Sequence, residues 1–359
     1  MVAGMATRDS QDIPISHEML GLIAEIDEFK GKWDFLKALS PERLRALRHV
    51  ATIESIGSST RIEGVRLTDR EIETLLGNIQ PRSFRSSDEQ EVAGYADAMG
   101  MVFESWEQLS LTENHIRQMH AVLLTYSDKD EHHRGRYKAL PNNVVAYDGE
   151  GREVGIVFET AAPFETPWEM ERLLESTNRE LAEGCVHPLL VIGCFVVRFL
   201  AIHPFQDGNG RLSRVLTTAL LLRAGYAYVP YASLESIIEE NKRAYYGALS
   251  NTQTTLKGEH PDWNPWLIFF LNCLKMQKDN LSAKLEREKI LARTLPTLSI
   301  RILSLLREHE RLTISDLENL TAANRNTLKV RLRELTQLQY VCMNGQGRAT
   351  WYALNPGGS

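Results

Sequence analysis

Apolar residues recur at helical spacing through most of the first half of the chain. Ser40 as an N-cap, Pro41-Glu42 in a first turn, and Leu44, Leu47, Val50 and Ile53 on one face predict a helix. Further helices are predicted over Asp69–Leu76 and Gln90–Leu109. Another opens at Thr112-Glu113, with Ile116, Met119, Leu123 and Leu124 on one side. The pattern changes over residues 135–167, which are rich in Gly, Pro and Asn. Two β-prone runs, Asn143–Tyr147 and Glu153–Phe158, flank Asp148-Gly149-Glu150-Gly151 and predict a hairpin.

Helical periodicity returns from Trp168 to Ala182. A helix beginning at His187-Pro188 is apolar on nearly every side through Leu189, Val191, Phe195, Val196 and Leu200, as expected of a buried central helix. It stops at His203-Pro204, and a short glycine-rich turn leads to the next helix, Arg211–Leu222. Leu234–Leu249 and Asn264–Arg293 are the last helices before Pro296, which marks a boundary. The expected organisation is an N-terminal helical region over 1–109, a core over 110–293 and a small separate domain over 296–359.

Composition narrows the class. A chain of 359 residues, 43% hydrophobic and 25% charged, suits two or three globular domains. No apolar run is long enough to span a bilayer, and Met1–Pro14 lacks the basic and apolar blocks of a signal peptide. Cys185, Cys194, Cys273 and Cys342 are scattered without paired spacing, so a reducing, cytoplasmic setting is expected. The net charge of −6 argues against coating of nucleic acid by the whole molecule. The stretch from Pro296 onward differs, with eight Lys and Arg against five Asp and Glu, a surplus of three positive charges.

The candidate chemistry lies between the two central helices, in His203-Pro204-Phe205-Gln206-Asp207-Gly208-Asn209-Gly210-Arg211-Leu212-Ser213-Arg214. Gly208 and Gly210 permit close approach of a ligand to the backbone. The amides of Gly208, Asn209 and Gly210 run into a helix N-terminus, where unpaired N–H groups and the dipole favour an anion. Arg211 and Arg214 are neighbours on one helical face. Asp207 is a hard oxygen ligand suited to magnesium among phosphate oxygens. His203 can be neutral near pH 7 and so can accept a hydroxyl proton. Each feature alone has an ordinary structural explanation, as cap, turn or solvated charge; their fixed order is what points to a polyphosphate site.

The stretch resembles the Fic signature HxFx(D/E)GNGRxxR at every specified position, and no Walker-type loop competes with it. The resemblance implies a mainly α fold: a helical core with a β-hairpin flap, accompanied here by a small α+β C-terminal domain. It implies a protein adenylyltransferase that moves AMP from ATP to a Ser, Thr or Tyr hydroxyl. In that reading His203 is the general base and Asp207 the magnesium ligand. Gly208, Asn209 and Gly210 cradle the phosphates, Asn209 through its side chain. Arg211 binds phosphate and Arg214 orients the γ-phosphate. Asn241 is placed at the adenine edge, with Tyr245 or Tyr246 against its face, and the flap segment Asn142–Tyr147 is placed for strand addition by a target. Transfer of another nucleotide, or removal of AMP from a modified protein, uses the same fold and stays open. The family also includes proteins that self-associate and self-modify, so a homodimer is compatible.

Upstream, Ser59-Thr60-Arg61-Ile62-Glu63-Gly64 fits the inhibitory pattern (S/T)xxxE(G/N) found in many Fic proteins. Its plain alternative is a helix end with Gly64 just beyond it. Ser59 and Glu63 share one helical face, and the resemblance implies that Glu63 pairs with Arg214 in the space of the γ-phosphate.

The C-terminal stretch shows Ile300, Leu303, Leu305 and Leu306 in one helix, Thr313–Leu317 starting a second, and Thr321 or Asn324 capping a third. Two short strands follow, Tyr340–Met343 and Ala349–Ala353, around Asn344–Gly347. Three helices and a hairpin resemble a winged helix. Arg325, Lys329 and Arg333 recur along one face, where they could meet DNA phosphates or simply be solvated. A non-enzymatic DNA-binding regulator with a nucleotide-sensing core is the further alternative, and the intact His203 speaks against it.

Overall fold

The structure is a computed structural model. It describes residues 13–36, 41–77, 84–147, 153–294, 296–345, 347 and 350–355. The chain forms two compact units, Met1–Asn280 and Leu281–Ser359. Among the described residues no helix is long and apolar enough to cross a membrane.

In the first unit, α1 (His17–Leu36) buries Met19, Ile23, Ile26, Phe29 and Trp33 at three- and four-residue steps. Helix α2 (Pro41–Ile62) follows; the predicted cap Ser40 lies outside the described residues. Helix α3 (Asp69–Leu76) starts in a capping box made by Thr68 and Glu71. Ser86 caps α4 (Ser87–Ser105) and Thr112 caps α5 (Glu113–Leu123), each accepting a first-turn N–H.

The hairpin pairs β1 (Val144–Tyr147) antiparallel with β2 (Glu153–Phe158), Val145 facing Ile156 and Ala146 facing Gly155. Its turn, Asp148–Gly151, lies outside the described residues. Helix α6 (Thr166–Glu183) then leads to α7 (Pro188–Ile202), capped by His187 and buried everywhere but at Pro188 and Arg198. Helix α8 (Asn209–Arg223) is buried except at Gly210 and Arg223. Two almost fully buried helices therefore hold the loop between them against the core.

The predicted single helix 234–249 is two helices, α9 (Leu234–Glu240) and α10 (Lys242–Gln253). The chain turns at Asn241, whose side-chain amide donates to Ile237 O at 2.8 Å and closes the end of α9. The unit's last helix, α11 (Asn264–Thr294), contains the division between the two units.

The second unit holds α12 (Thr297–Glu308), β3 (Leu312–Thr313), α13 (Ile314–Thr321), α14 (Arg325–Gln337), β4 (Val341–Asn344) and β5 (Trp351–Leu354). Thr313 caps α13 in a capping box and Asn324 caps α14. The sheet order is β3-β5-β4, so the hairpin gains a third strand that the sequence pattern did not reveal. Gln346 and Ala349, part of the predicted hairpin, lie outside the described residues. Ile302, Leu306, Leu317, Leu328, Leu332 and Leu335 fill its core.

Candidate active site

Helix α7 ends on His203, which takes φ 52°, in the left-handed region that suits glycine best. A side chain is kept where none is cheapest, which suggests that the imidazole itself is required. Its Nδ1 lies 3.2 Å from Leu200 O, an acceptor, so Nδ1 carries the proton and donates. Nε2 is left as the basic nitrogen. Burial pushes the imidazole pKa down to about 4, against the opposing effect of the Leu200 carbonyl. The ring is therefore neutral at physiological pH.

The loop beyond His203 is fastened from three directions. Phe205 is fully buried and stacks on the His120 ring at 3.8 Å. Gly135 N–H donates to His120 Nδ1 at 3.0 Å, so the opposite Nε2–H donates to Asp207 O, also at 3.0 Å. Asn142, just before β1, donates from its amide to Phe205 O at 2.6 Å and to His203 O at 3.2 Å. Gly208 opens α8 at φ 79°, in contact distance of His120 and Leu123. The first N–H groups of α8, on Asn209, Gly210 and Arg211, have no carbonyl one turn earlier within the helix, so an anion is favoured there.

Four of the expected site residues have partners within the protein. The Asn209 side chain is 2% exposed residue-wide and closes the loop on itself: Oδ1 accepts from Phe205 N at 2.9 Å and Nδ2 donates to Phe205 O at 2.6 Å. These two bonds shape the loop. Arg211 is buried and donates to Glu91 Oε2 at 2.8 Å and Asp207 Oδ1 at 3.2 Å, so it orients the carboxylate of Asp207. Tyr245 is buried against Trp266 and Phe269, while Tyr246 is exposed and is the one able to lie against a flat ligand. Asn241 uses one of its two amide N–H groups on Ile237 O.

Asp207 accepts from Gly208 N–H and faces Lys129 Nζ at 3.1 Å through Oδ2. Burial raises its pKa, but Arg211 and Lys129 outweigh this and hold it below the usual carboxylate range. Glu91 completes the cluster, 3.6 Å from Lys129. Neither Lys129 nor Glu91 stands in the motif, and only the folded chain brings them to it. Among the described residues no cluster of three His, Cys, Asp or Glu could hold a metal alone. That donor set fits a magnesium ion held by one carboxylate and by substrate phosphates, and does not fit a fully protein-bound metal.

The end of α2 lies across the first turn of α8. Arg214, 4% exposed, donates from Nε to Ser59 Oγ at 2.7 Å and from Nη2 to Ser59 O at 2.9 Å and Glu63 Oε1 at 2.8 Å. A methyl group added at Gly210 would collide with the Glu63 carboxylate, so this carboxylate lies directly on the expected anion cradle. Burial disfavours the Arg214 charge, yet Glu63 and the nearby tyrosines raise its pKa. Behind it, the buried Tyr95 hydroxyl donates to Glu235 at 3.2 Å and also bonds Ser59. Arg61, in the last turn of α2 and two residues before Glu63, is bidentate to Glu239 of α9 at 2.7 and 3.0 Å and bonds Asp69 at 2.8 Å.

A buried helix ending on a left-handed histidine, a glycine loop and a second helix carrying the arginines form an arrangement similar to that of Fic proteins. Residues 110–221 match the model of the Fic/DOC family. The chain is 28% identical over 259 residues to the protein adenylyltransferase Fic of Drosophila persimilis, covering 71% of this chain and 46% of that protein. It is likewise 28% identical over 262 residues to that of Drosophila grimshawi, covering 72% and 48%. It thus spans about half the length of these curated relatives. Among solved structures it is similar to a Fic domain containing signaling protein from Bacteroides thetaiotaomicron VPI-5482 (TM-score 0.59, 25% identity, 73% of this chain and 97% of that one). A Fic family protein from Desulfovibrio desulfuricans G20 shares the fold over 96% of this chain and 98% of its own, with TM-score 0.60 and 24% identity.

Proposed function

We propose that this protein is a protein adenylyltransferase held off by its own N-terminal helix. The observation that carries the reading is the Glu63 carboxylate, 2.8 Å from Arg214 and seated against Gly210 at the helix N-terminus. A carboxylate there imitates a terminal phosphate. With Glu63 displaced, Arg214 and the first N–H groups of α8 receive the phosphates of ATP, and Tyr246 flanks the base. The hydroxyl oxygen of a Ser, Thr or Tyr on a target protein attacks the α-phosphorus. Its proton passes to His203 Nε2, the bond from the α-phosphorus to the bridging oxygen of the β-phosphate breaks, and pyrophosphate leaves. Asp207 would hold a magnesium ion, which would supply charge neutralisation. Arg211 and Glu91 keep Asp207 oriented, and the remaining catalysis is positioning. The flap offers strand pairing to the target segment. The four free cysteines suit a cytoplasmic setting.

The test is transfer of labelled AMP from ATP, in parallel with UTP, GTP and CTP, to the protein itself and to a lysate. Label from ATP that increases in Glu63→Gly and vanishes in His203→Ala supports the reading. Preference for another nucleotide, or release of AMP from a pre-modified protein only, would replace it with the corresponding alternative.

The second unit reads as a winged helix, and one observation favours a contact with DNA. Lys329 and Arg333 are exposed on α14, opposite the buried Leu328, Leu332 and Leu335, whereas Arg325 is paired with Glu318 at 2.6 Å. Duplex binding that weakens steeply with salt, and weakens further in Lys329→Ala/Arg333→Ala, is the expected result. Absence of a shift at low salt would leave a protein-docking unit.

A further inference from the structure

Lys138 is a lysine that the proposed reaction does not use, yet it is 4% exposed and lies beneath the histidine loop. Its ammonium has three N–H donors, and all three are satisfied by neutral oxygens. They are Asn142 Oδ1 at 2.8 Å, Thr160 Oγ1 at 2.9 Å and Ile202 O at 2.9 Å. Each acceptor has a distinct place in the fold. Asn142 precedes β1 and Thr160 follows β2, so they are the two feet of the hairpin. Ile202 is the last residue of α7, next to His203, and its carbonyl is at the negative end of that helix. The Lys138 backbone N–H donates to Pro204 O at 2.9 Å, on the other side of the histidine. Thr160 in turn donates to Asn142 Oδ1 at 3.1 Å, and its N–H bonds Asn143 Oδ1 at 3.1 Å.

Burying a lysine without a carboxylate is costly, and burial alone lowers its pKa to about 8. A neutral side chain such as Gln or Met would fill the same space without that cost. The position therefore asks for three donors on one atom, for a positive charge, or for both. Three donors serve the geometry: one atom ties both feet of the flap to the backbone that carries His203.

We propose that Lys138 is a positioning residue that couples the flap to the general base, so that a target strand held by the flap is presented in register with His203. This rests on the adenylyltransferase reading for its kinetic consequence, though not for the coupling itself. The charge has a second effect. The charged groups acting on His203 are Glu63 from α2 and Asp207 from the loop, which favour its protonated form, and Lys138 from the segment before the flap, which opposes it. Removing the Lys138 charge lets His203 take up a proton at higher pH.

The experiment uses the full chain in the Glu63→Gly background, where Glu63 no longer acts on His203. Lys138→Met is expected to lower kcat by about tenfold or more and to raise KM for the target protein. KM for ATP stays within about twofold, since the phosphate cradle is untouched. The acid limb of kcat moves toward neutral pH. Lys138→Arg, which keeps charge and several donors, restores most of kcat and the position of the acid limb. Thr160→Val, which removes one foot, raises KM for the target without moving the acid limb. Independently of any turnover, the NMR titration of the His203 imidazole is expected to shift to higher pH in Lys138→Met. An unshifted titration together with unchanged kcat and target KM overturns the proposal. So does a loss in Lys138→Met that Lys138→Arg fails to rescue, or, should Lys138→Met not fold, a Thr160→Val protein identical to its parent. If the Glu63→Gly protein transfers no nucleotide, the functional reading falls, and the imidazole titration still decides whether Lys138 governs His203.

Discussion

Arg214 Nη2 lies 2.8 Å from Glu63 Oε1, and the same arginine holds Ser59 through both its Nε and Nη2. With Nε and Nη2 spent on Ser59 and Glu63, the guanidinium has only Nη1 left to offer a phosphate, and the Glu63 carboxylate repels that phosphate. A hydrogen bond to a charged group contributes about 1.5–3 kcal/mol, equivalent to roughly 10–100-fold in an equilibrium. Glu63→Gly is therefore expected to raise AMP transfer by roughly that factor. It should also lower the melting temperature of the nucleotide-free protein, because Arg214 loses one partner. Adding ATP should raise the melting temperature more in Glu63→Gly than in wild type, since ligand binding to the folded state stabilises it by mass action. Equal ATP-induced shifts in the two proteins would contradict competition at Arg214.

The state of His203 makes a prediction about pH. Its folded pKa is about 4, below the ordinary histidine value, because burial disfavours the imidazolium. A lowered pKa means that the basic form persists as pH falls and is lost only on passing through the folded value. The transfer rate of Glu63→Gly should thus stay level from about pH 8 to about pH 6 on the His203 side and decline only below about pH 5. A steady-state pH profile with its acid limb near pH 6.5 would show an imidazole open to solvent.

These two residues mark what a reader of the sequence can and cannot obtain. His203 to Arg214 is legible because a glycine turn forces its chemistry to be local, so order and spacing alone expose it. Glu63 faces Arg214 across 151 positions, and only the family resemblance connects them beforehand. Asn209 and Arg211 were legible as polar groups of the loop, yet their partners, Phe205 and Glu91, are chosen by tertiary packing. His120, Lys129 and Lys138 carry no local signature, since a lone His or Lys acquires its use only from what folds around it. Element prediction failed for similar reasons. Asn241 breaks a continuous helical pattern through one side-chain bond, and β3 is too short to show alternation. Helix α1 is different: Met19, Ile26, Phe29 and Trp33 show a helical stripe in the sequence itself, so this helix is legible without the fold.

Lys129 stands 3.1 Å from Asp207 Oδ2, at the oxygen a magnesium ion would need. Two cations there would repel each other, so a magnesium ion held by Asp207 would compete with the Lys129 ammonium. The lysine side chain is 58% exposed, and an exposed pair of this kind contributes about 0.2–1 kcal/mol. Lys129→Ala should therefore lower the magnesium concentration for half-maximal transfer by at most about fivefold. A magnesium titration at fixed ATP checks this, and a markedly increased metal requirement would mean that Lys129 assists the phosphates more than it opposes the ion.

Arg61 bears on how the inhibitory helix is held. It is bidentate to Glu239 and also bonds Asp69, with a side chain only 24% exposed, so it is anchored on α9 and α3 rather than on the phosphate cradle. These bonds fix the last turn of α2 and hence the aim of Glu63. Arg61→Ala should loosen that turn and raise AMP transfer, though by less than Glu63→Gly, because the Glu63 carboxylate remains present to rebind Arg214. Glu239→Gln should act in the same direction with a smaller effect, as it leaves a neutral acceptor for the guanidinium. The double variant Arg61→Ala/Glu63→Gly should be no more active than Glu63→Gly alone, since both changes act through one displaced carboxylate. Additive gains in that cycle, measured as initial rates with labelled ATP, would show that Arg61 restrains the enzyme by some route other than Glu63.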